Sequence, residues 1–382
     1  MPWEETCPVK ERIRFVAALE SGLYSMSEAC ERFGVSRVTG YKWWRRFNAG
    51  EEGLQDRSRR PKSSPGRTPE EIERLVIELR KAHPSWGPEK LLDVLSRRHR
   101  GVKLPARSTT AAILKREGLI KKPRVRRKHH HPGQPFVETE EPNDLWTADY
   151  KGEFKTLDGR YCYPLTIADQ ETRYLIASEG LLSTRSRWAR PVFEKAFREH
   201  GLPKAILTDN GPPFAVWNAL CGLSALGVWW IQLGIRQYRI EPGKPQQNGR
   251  HERMHRTMKA EATRPPGADI RSQRKKLEAF RHEFNEERPH QALGNRRPAE
   301  VGRPSPRPFP RKTRKPEYAA HYEKRRVTSV GHIAFKRRMI FLSSNLLGET
   351  VALEEIADGI WSIYYYDALI ARLDERTGKV IP

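Results

Sequence analysis

The stretch PQQNGRHERMHRTMK, residues 245–259, places one carboxylate, Glu252, among four Arg and Lys side chains. Its pattern is typical of the start of a helix, with Asn248 and Gly249 at the entry. A lone acid in a basic segment is either a solvated charge pair or a group placed for chemistry. The rest of the chain decides between these two interpretations.

The overall charge predicts a polyanionic partner. The 382 residues include 71 Lys and Arg against 47 Asp and Glu, which gives a formal net charge of +24. Such an excess repels itself unless a polyanion neutralises it, and nucleic acid is the leading candidate. We find neither a run of ~20 apolar residues nor a signal-peptide pattern, so we expect a cytoplasmic protein with no membrane partner.

The cysteines do not predict a disulfide framework or a cysteine-based zinc site, because the four are widely scattered and form no C-x-x-C pair. The three adjacent histidines at 129–131 cannot easily converge on one ion. Chemistry must therefore be sought among the acids.

Residues 1–50 have the pattern of a helix-turn-helix module. Ser36 is placed as the N-cap of its third helix, and the small Cys30 lies where two helices must approach closely. We expect helices over 9–21, 27–33 and 36–48, with Val35, Trp43 and Phe47 in the core. The expected DNA contacts are Arg37, Thr39, Tyr41 and Lys42. An ordinary three-helix bundle is the alternative.

A Gly-, Pro-, Ser- and Arg-rich linker over 51–67 leads to a second helical unit over 68–120. Its apolar spacing predicts a helix that ends at His83-Pro84, and two more over 88–99 and 108–117, the last capped by Ser108. This unit also resembles a helix-turn-helix module, with a plain helical unit as the alternative. The expected DNA contacts are Arg107, Thr109, Thr110 and Lys115.

A basic linker follows over 121–135. Its KKPRVRRKHH run contains six Lys or Arg and no acid, so we expect an extended arm along DNA phosphates. The expected contacts are Arg124, Arg126, Arg127 and Lys128.

Residues 136–300 change to a strand-rich pattern. Three strands with a hairpin turn at Asp158-Gly159 predict an antiparallel meander. A helix over 186–200 and the apolar strand AILTDNG then add a parallel strand, so the sheet is mixed. Beyond a Pro- and Arg-rich linker over 301–326, which we expect to follow a phosphate backbone, five short strands over 327–382 predict a small β-barrel.

Three acids occupy comparable places in this order of elements. Asp149 lies in the first strand, Asp209 at the end of the parallel strand, and Glu252 on the helix that follows. Neighbouring strands bring the first two together, and a helix across them adds the third. Asp169 is the strongest rival to Asp149, whereas Asp144 and Asp158 are better explained as turn or capping residues.

Three clustered carboxylates repel one another, and a pair at 4 Å costs on the order of 4 kcal/mol at an effective dielectric near 20. Divalent cations remove that cost. Two metal ions bound through oxygen ligands can activate a water or a 3′-hydroxyl and stabilise the departing oxygen. The pattern therefore favours metal-dependent phosphoryl transfer.

Three motifs carry a resemblance to a known family: DLWTADYKG around Asp149, ILTDNGPPF around Asp209, and PGKPQQNGRHERMHRTMK around Glu252. In this order they resemble the DDE-type transposases of bacterial insertion sequences, which have a retroviral-integrase-like catalytic core. The resemblance covers about 136–300. It implies an RNase H-like α/β core with a mixed five-stranded sheet and two ions per active site, Mg²⁺ or Mn²⁺, held by Asp149, Asp209 and Glu252.

The resemblance also implies an activity and its partners. The enzyme would cut element ends and join a 3′-hydroxyl to target DNA. The two N-terminal modules would bind terminal inverted repeats, the C-terminal barrel would assist DNA binding or assembly, and a homo-oligomer would act on paired ends. In a bacterial cell the protein would associate with the nucleoid when bound to DNA.

Residues around the acids have expected supporting roles. Helical spacing places His255, Arg256 and Lys259 on one face with Glu252, where they could contact the DNA end. We also expect contacts from Asn210 and Asn248. The interval between Asp209 and Glu252 is longer than usual for the resemblance, and ALCGLSALGVWWIQLG at 219–234 absorbs the extra length.

Two other functions remain open from the sequence. One is a DNA-binding repressor or architectural protein with a silent core, against which the three acids argue. The other is a nuclease that cleaves the RNA of hybrids, which would explain the core but not the two helical modules.

Overall fold

The computed structural model describes residues 7–50, 54–56, 58, 66–120, 138–216, 222–241 and 244–381. The chain divides into two compact units, Met1–Thr68 and Pro69–Pro382. In the described ranges, none of the helices combines the length and the apolar character needed to cross a membrane.

The first unit is a three-helix module. Its helices are α1 (Pro8–Glu20), α2 (Met26–Arg32) and α3 (Arg37–Asn48). Ser25 and Glu28 form a capping box on α2, and Ser36 caps α3 by accepting a bond from the Thr39 amide, as the sequence predicts. A Cβ at Gly40 would lie 2.5 Å from Cys30 Sγ, so α2 and α3 approach as closely as expected. One expectation is wrong: Phe47 is 40% exposed and stacks on Trp44 instead of entering the core.

The second unit begins with three more helices, α4 (Glu70–Ala82), α5 (Pro88–Arg98) and α6 (Arg107–Arg116). Ser108 lies inside α6, and Ala106 occupies the N-cap without a side-chain bond, so the predicted cap is wrong. Trp86, Leu91 and Leu114 are among the side chains of their shared core.

These helices pack against the strand-rich region that follows them. Arg97 forms an ion pair of 2.6 Å with Glu300, and the His83 ring lies 3.3 Å from Glu283. The Asn295 amide donates to Glu89 at 3.1 Å. The second helical module is therefore docked on the strand-rich region.

That region contains a six-stranded mixed sheet. Strands β1 (Leu145–Tyr150), β3 (Tyr161–Asp169) and β4 (Leu175–Leu181) form the predicted antiparallel meander, and β5 (Ala205–Thr208) and β6 (Arg236–Arg239) run parallel to β1. Five strands follow the predicted mixed arrangement, in the order β4-β3-β1-β5-β6. The sixth, β2 (Phe154–Lys155), is a two-residue hairpin partner of β3.

Helices cover both faces of this sheet because strands in its centre are apolar on both sides. On one face, α7 (Ser186–His200) and α8 (Ala225–Gln232) cover Trp146 and Ile206. On the other, α9 (Gly249–Glu261) and α10 (Ile270–His282) pack through Met258 and Leu277. A π-helical turn over Glu283–Glu287 extends α10, and the short α11 spans Pro298–Val301.

The C-terminal region is an open sheet. Its five antiparallel strands follow the order β13-β12-β11-β10-β7, and a separate hairpin of β8 and β9 packs into the same core. Within the described residues no strand pairing joins β13 to β7, so the predicted closed barrel is not confirmed. The bounds are β7 (Glu323–Arg326), β8 (His332–Phe335), β9 (Arg338–Phe341), β10 (Thr350–Ala357), β11 (Ile360–Tyr365), β12 (Ala368–Asp374) and β13 (Lys379–Ile381).

Part of the segment predicted as a Pro- and Arg-rich linker packs against the six-stranded sheet region. Arg307 donates to the carbonyls of Pro203, Leu233 and Gly234 at 2.7–3.1 Å. Phe309 packs beside Phe197 and Trp229. Arg307 therefore stabilises the fold and is not free for the phosphate contact that the linker prediction assumed.

Candidate active site

The strand register places the first two predicted acids side by side. Ala148 pairs with Thr208 in the parallel ladder of β1 and β5, and the next residues are Asp149 and Asp209. Because neighbouring parallel strands end at the same edge of a sheet, both carboxylates reach that edge together. The Gly211 amide donates to Asp209 Oδ1 at 3.1 Å and fixes the turn after the strand.

Glu252 comes to this edge on the first turn of α9. The helix is held against the sheet by buried His251, Met254, His255 and Met258, which leaves Glu252 exposed. This spacing puts the carboxylate on the flank of α9 that borders the strand ends.

The electrostatics show that the three acids share one environment. Burial, followed by the charge of Asp209 and then that of Glu252, raises the pKa of Asp149 to about 7. Burial also raises the pKa of Asp209 above its ordinary value. Like charges disfavour one another's ionised form, which a bound cation reverses.

The donor chemistry of this site suits a hard divalent cation, since all three groups are carboxylates and Mg²⁺ prefers oxygen ligands. Among the described residues, however, no three His, Cys, Asp or Glu side chains are placed to ligate one ion in the present arrangement. Asp209 and Glu252 are near enough to raise the pKa of Asp149, but the three carboxylates are not arranged around one ion-sized position.

His255 does not have the predicted position. It is 5% exposed, and its Nε2 lies 2.6 Å from Thr166 Oγ1, which is also 2.6 Å from His251 Nε2. Burial is the main cause that lowers the pKa of His251 to about 3 and that of His255 to about 2. His255 therefore faces the sheet as a neutral ring and not the DNA.

This buried cluster of Thr166, His251 and His255 lies next to Asp149 in the sheet. Thr166 pairs with Asp149 across β1 and β3, and its hydroxyl donates to the Asp149 carbonyl at 3.1 Å. His255 Nδ1 lies 3.6 Å from Asp149 Oδ2. The role of Thr166 could not be predicted from the sequence, because Thr166 looks like any other polar residue in a strand of alternating apolar and polar positions.

The other residues expected near the acids fall into two groups. Arg256 and Lys259 are exposed on the flank of Glu252, as helical spacing predicts. Asn210 is exposed and donates to the Ile240 carbonyl at 2.7 Å. Asn248 is buried and its Oδ1 has no hydrogen-bond partner among the described residues, so the expected DNA contact is wrong for this arrangement.

Sequence reasoning missed Lys151, two residues after Asp149. Burial and then the charge of Lys259 lower the pKa of Lys151, whereas Asp149 raises it. Arg264 contributes in the same direction as Lys259. A cationic surface thus borders the carboxylates from two elements, and the signal for it was the lysine that ends the motif DLWTADYK.

The competing acids are committed elsewhere. Asp169 accepts bonds from the amides of Asn143, Glu171 and Thr172, and is buried. Asp144 accepts from two backbone amides and pairs with Lys204 at 2.7 Å. Asp158 accepts from Thr156 in its turn. None of these carboxylates competes with Asp149.

The helical modules present some of their predicted residues. In the first module Arg37, Tyr41 and Lys42 are exposed, and Thr39 is partly covered beside Ser36. In the second, Arg107, Thr109 and Lys115 are exposed. Thr110 is fully buried and its hydroxyl donates to the Ala106 carbonyl, so it is wrong as a DNA contact. Arg124, Arg126, Arg127 and Lys128 lie outside the described residues.

Family comparisons match the chain in four places. Residues 139–245 and 233–298 match two models described as an integrase core domain. Residues 11–62 match a helix-turn-helix domain, and 39–114 match a homeodomain-like domain.

Two similar proteins come from bacterial insertion elements. One is an uncharacterized 39.2 kDa protein of insertion element IS476 from Xanthomonas euvesicatoria, 27% identical over 59% of this chain and 62% of the relative. The other is an uncharacterized 31.7 kDa protein of insertion element IS407 from Burkholderia multivorans, 28% identical over 46% of this chain and 63% of the relative. The chain therefore spans less than two thirds of each of these relatives.

Solved structures with some similarity include two viral integrase assemblies. The HTLV-2 integrase catalytic core in complex with magnesium covers 42% of this chain and 97% of its own, at 15% identity and a TM-score of 0.34. A simian T-cell lymphotropic virus intasome with a PP2A regulatory subunit covers 77% and 97%, at 16% identity and a TM-score of 0.39. The sequence matches carry the comparison: residues 139–245 and 233–298 match an integrase core domain, and the chain is similar to proteins of bacterial insertion elements.

Proposed function

We propose that this protein cleaves DNA at the ends of an insertion sequence and transfers the resulting 3′-hydroxyl into target DNA. The observation that carries the proposal is the meeting of Asp149 and Asp209 on adjacent parallel strands beside Glu252, close enough for both charges to raise the pKa of Asp149. The integrase core match over 139–245 and 233–298 supports the same chemistry.

Asp149, Asp209 and Glu252 would hold two Mg²⁺ or Mn²⁺ ions, which when bound supply an activated nucleophile and stabilise the leaving oxygen. The acids would approach from two strand ends and one helix. The buried Thr166 behind Asp149 donates to its backbone carbonyl, so the backbone that carries this carboxylate would be held in place before substrate arrives.

The surrounding cations would hold the DNA end. Lys151, Arg256 and Lys259 border the carboxylates and carry no acid partner among the described residues within ion-pair distance. They would contact phosphates beside the scissile bond, which positions the strand and leaves the choice of sequence to other contacts.

The two helical modules would provide that choice by binding the terminal inverted repeats. Their exposed Arg37, Tyr41, Lys42, Thr109 and Lys115 are the candidate contacts. Because two ends must be joined in one event, we expect a homo-oligomer on paired ends.

Strand transfer with a labelled terminal-repeat DNA in Mg²⁺ tests the proposal. Asp149→Asn, Asp209→Asn and Glu252→Gln should each abolish cleavage and joining while DNA binding is retained. Glu199→Gln, which removes an exposed acid on α7 across the sheet, is the matched control and should act like the wild type. Wild-type joining in any of the three variants would leave a DNA-binding protein with a silent core as the better description.

A further inference from the structure

A second site lies on another flank of α9. A cavity of about 360 Å³ opens between α5, the turn after β3, the start of α9 and the segment after α10. Cationic side chains from each of these elements line it, together with the His290 imidazole, whose pKa burial lowers to about 3. We name it the cation pocket, and its cations are Lys90, Arg173, Arg250, Arg253 and Arg288. Glu252 does not line it, so the cation pocket is separate from the carboxylate site.

Two of these cations, Lys90 and Arg173, are half-buried and have no partner among the described residues. Arg173 has a left-handed backbone with φ of 63°, and its Nε is buried with no hydrogen-bond acceptor. In the described part of the chain, the Lys90 amine forms no hydrogen bond or ion pair. Burial of an unpaired charge is costly, so a group of opposite charge is expected to enter.

The cations also crowd one another. Burial and then the charges of Arg250 and Arg253 lower the pKa of Arg173 to about 10, with Glu171 opposing. Burial and then Arg288 lower the pKa of Lys90 to about 8. The contributions of Arg288, Arg250 and Arg253 to these shifts show that the cations repel one another, and an anion between them would relieve that repulsion.

Among the described residues, none of the neighbouring acids forms an ion pair with Lys90 or Arg173. Both carboxylate oxygens of Glu261 accept from Arg288 Nη1, at 2.9 and 3.0 Å, and Glu283 lies against His83. Asp169, which lines the pocket, accepts hydrogen bonds from the backbone amides of Asn143 and Thr172. Arg250 is held by the Gln170 carbonyl at 3.1 Å, so its guanidinium is fixed in place.

The floor of the cation pocket is apolar. Ala168, Met254 and Phe284 form this apolar part of the lining. A cavity lined by charged donors and also by an aromatic and a thioether side chain suits a ligand with an anionic end and a flat apolar end. A nucleotide has this form, since its phosphate is anionic and its base has an apolar face.

We propose that the cation pocket binds one nucleotide, with its phosphate on Lys90 and Arg173 and its base over Met254 and Phe284. The nucleotide comes free or as a unit of a DNA strand. The strand source rests on the proposed function, because only a DNA-processing protein has a strand beside α9. The pocket would then hold DNA on one flank of α9 while Glu252 acts on the other.

Binding is measured in EDTA, so that the carboxylate site makes no metal-dependent contribution. The probes are inorganic phosphate, dAMP and a short single-stranded oligonucleotide, each titrated against the full chain. Lys90→Gln and Arg173→Gln should each weaken dAMP or oligonucleotide binding about tenfold, the effect of losing one charged hydrogen bond. Lys195→Gln and Arg187→Gln remove equal charges from exposed positions on α7 and should change binding less than twofold.

The probes distinguish the source of the nucleotide. Pocket-dependent binding of dAMP identifies a free nucleotide as sufficient, whereas pocket-dependent binding of the oligonucleotide alone identifies the strand. If the pocket variants and their controls bind every probe equally, the proposal is overturned. It is also overturned if phosphate binds as tightly as dAMP, because the apolar part of the lining would then contribute nothing to binding. Thermal melting of each variant confirms that it is folded.

A second measurement follows the amine itself. Pyridoxal 5′-phosphate carries a phosphate and an aldehyde that condenses with a neutral amine, and borohydride reduction then fixes the product on the lysine. Labelling of Lys90 that dAMP suppresses and deoxyadenosine does not is the expected result. Strand transfer by Asp209→Asn is lost if the proposed function holds, yet dAMP binding by that variant should be unchanged, so failure of either proposal is recognised separately.

Discussion

Replacement of Thr166 by valine tests whether the cluster beneath Asp149 is a bonded network. The Thr166 hydroxyl donates to the Asp149 carbonyl, so its oxygen accepts from the Nε2–H groups of both His251 and His255. Valine keeps the shape but leaves two buried donors unsatisfied. At about 1–3 kcal/mol for each, the catalytic unit should lose about 2–6 kcal/mol of unfolding free energy.

Thr166→Ser is the matched control, because it keeps the hydroxyl and removes only a methyl group. Urea unfolding followed by tryptophan fluorescence should place Thr166→Val well below Thr166→Ser in stability. Strand transfer under conditions where both variants are folded should fall further for valine, since Asp149 loses its restraint. If valine and serine unfold at the same urea concentration, the Thr166 contacts do not stabilise the site and the argument is refuted.

Three further predictions follow from named contacts. His251 and His255 should both remain neutral at pH 5, because burial lowers the pKa of His251 to about 3 and that of His255 to about 2. Below about pH 6.5 the histidines of the unfolded chain take up protons that these buried rings do not, so the free energy of unfolding should fall as the pH falls. Nitrogen-15 chemical shifts of labelled histidine that show charged rings at pH 5 would contradict this prediction. Gly40→Ala should destabilise the first unit by about 1–3 kcal/mol in urea unfolding, because the new Cβ would lie 2.5 Å from Cys30 Sγ, and the loss should shrink in a Cys30→Ala background. Val228→Asp should separate the C-terminal sheet from α8, seen as new protease cleavage near 310–320, whereas Leu369→Asp, at an exposed position of the same sheet, should leave the digest unchanged.

The sequence predicted the order of elements well because alternation, capping residues and turn signals are local. Ser36, the Asp158-Gly159 turn and the strand around Ala148 needed only neighbouring residues. The predictions failed where a residue that is distant in the sequence but close in space determines which side chain is buried. Phe47, Thr110 and His255 each fit a helix face by spacing, but the side that a helix buries depends on what packs against it. The open C-terminal sheet was missed for the same reason, since strand patterns do not reveal whether the edges meet.

The extra length between Asp209 and Glu252 includes helix α8, whose packing also depends on parts of the chain that are distant in the sequence. Helix α8 is apolar on all sides, and such a helix is stable only if it is covered all round. Its Trp229 and Trp230 enter the core of the catalytic sheet, while Val228 and Leu223 enter the core of the C-terminal sheet. Gln232 adds a bond of 2.8 Å to the Tyr365 hydroxyl. The described part of the inserted segment, 222–234, therefore packs against both the catalytic sheet and the C-terminal sheet. A change that loosens the C-terminal sheet should reach the interval that connects two of the three acids.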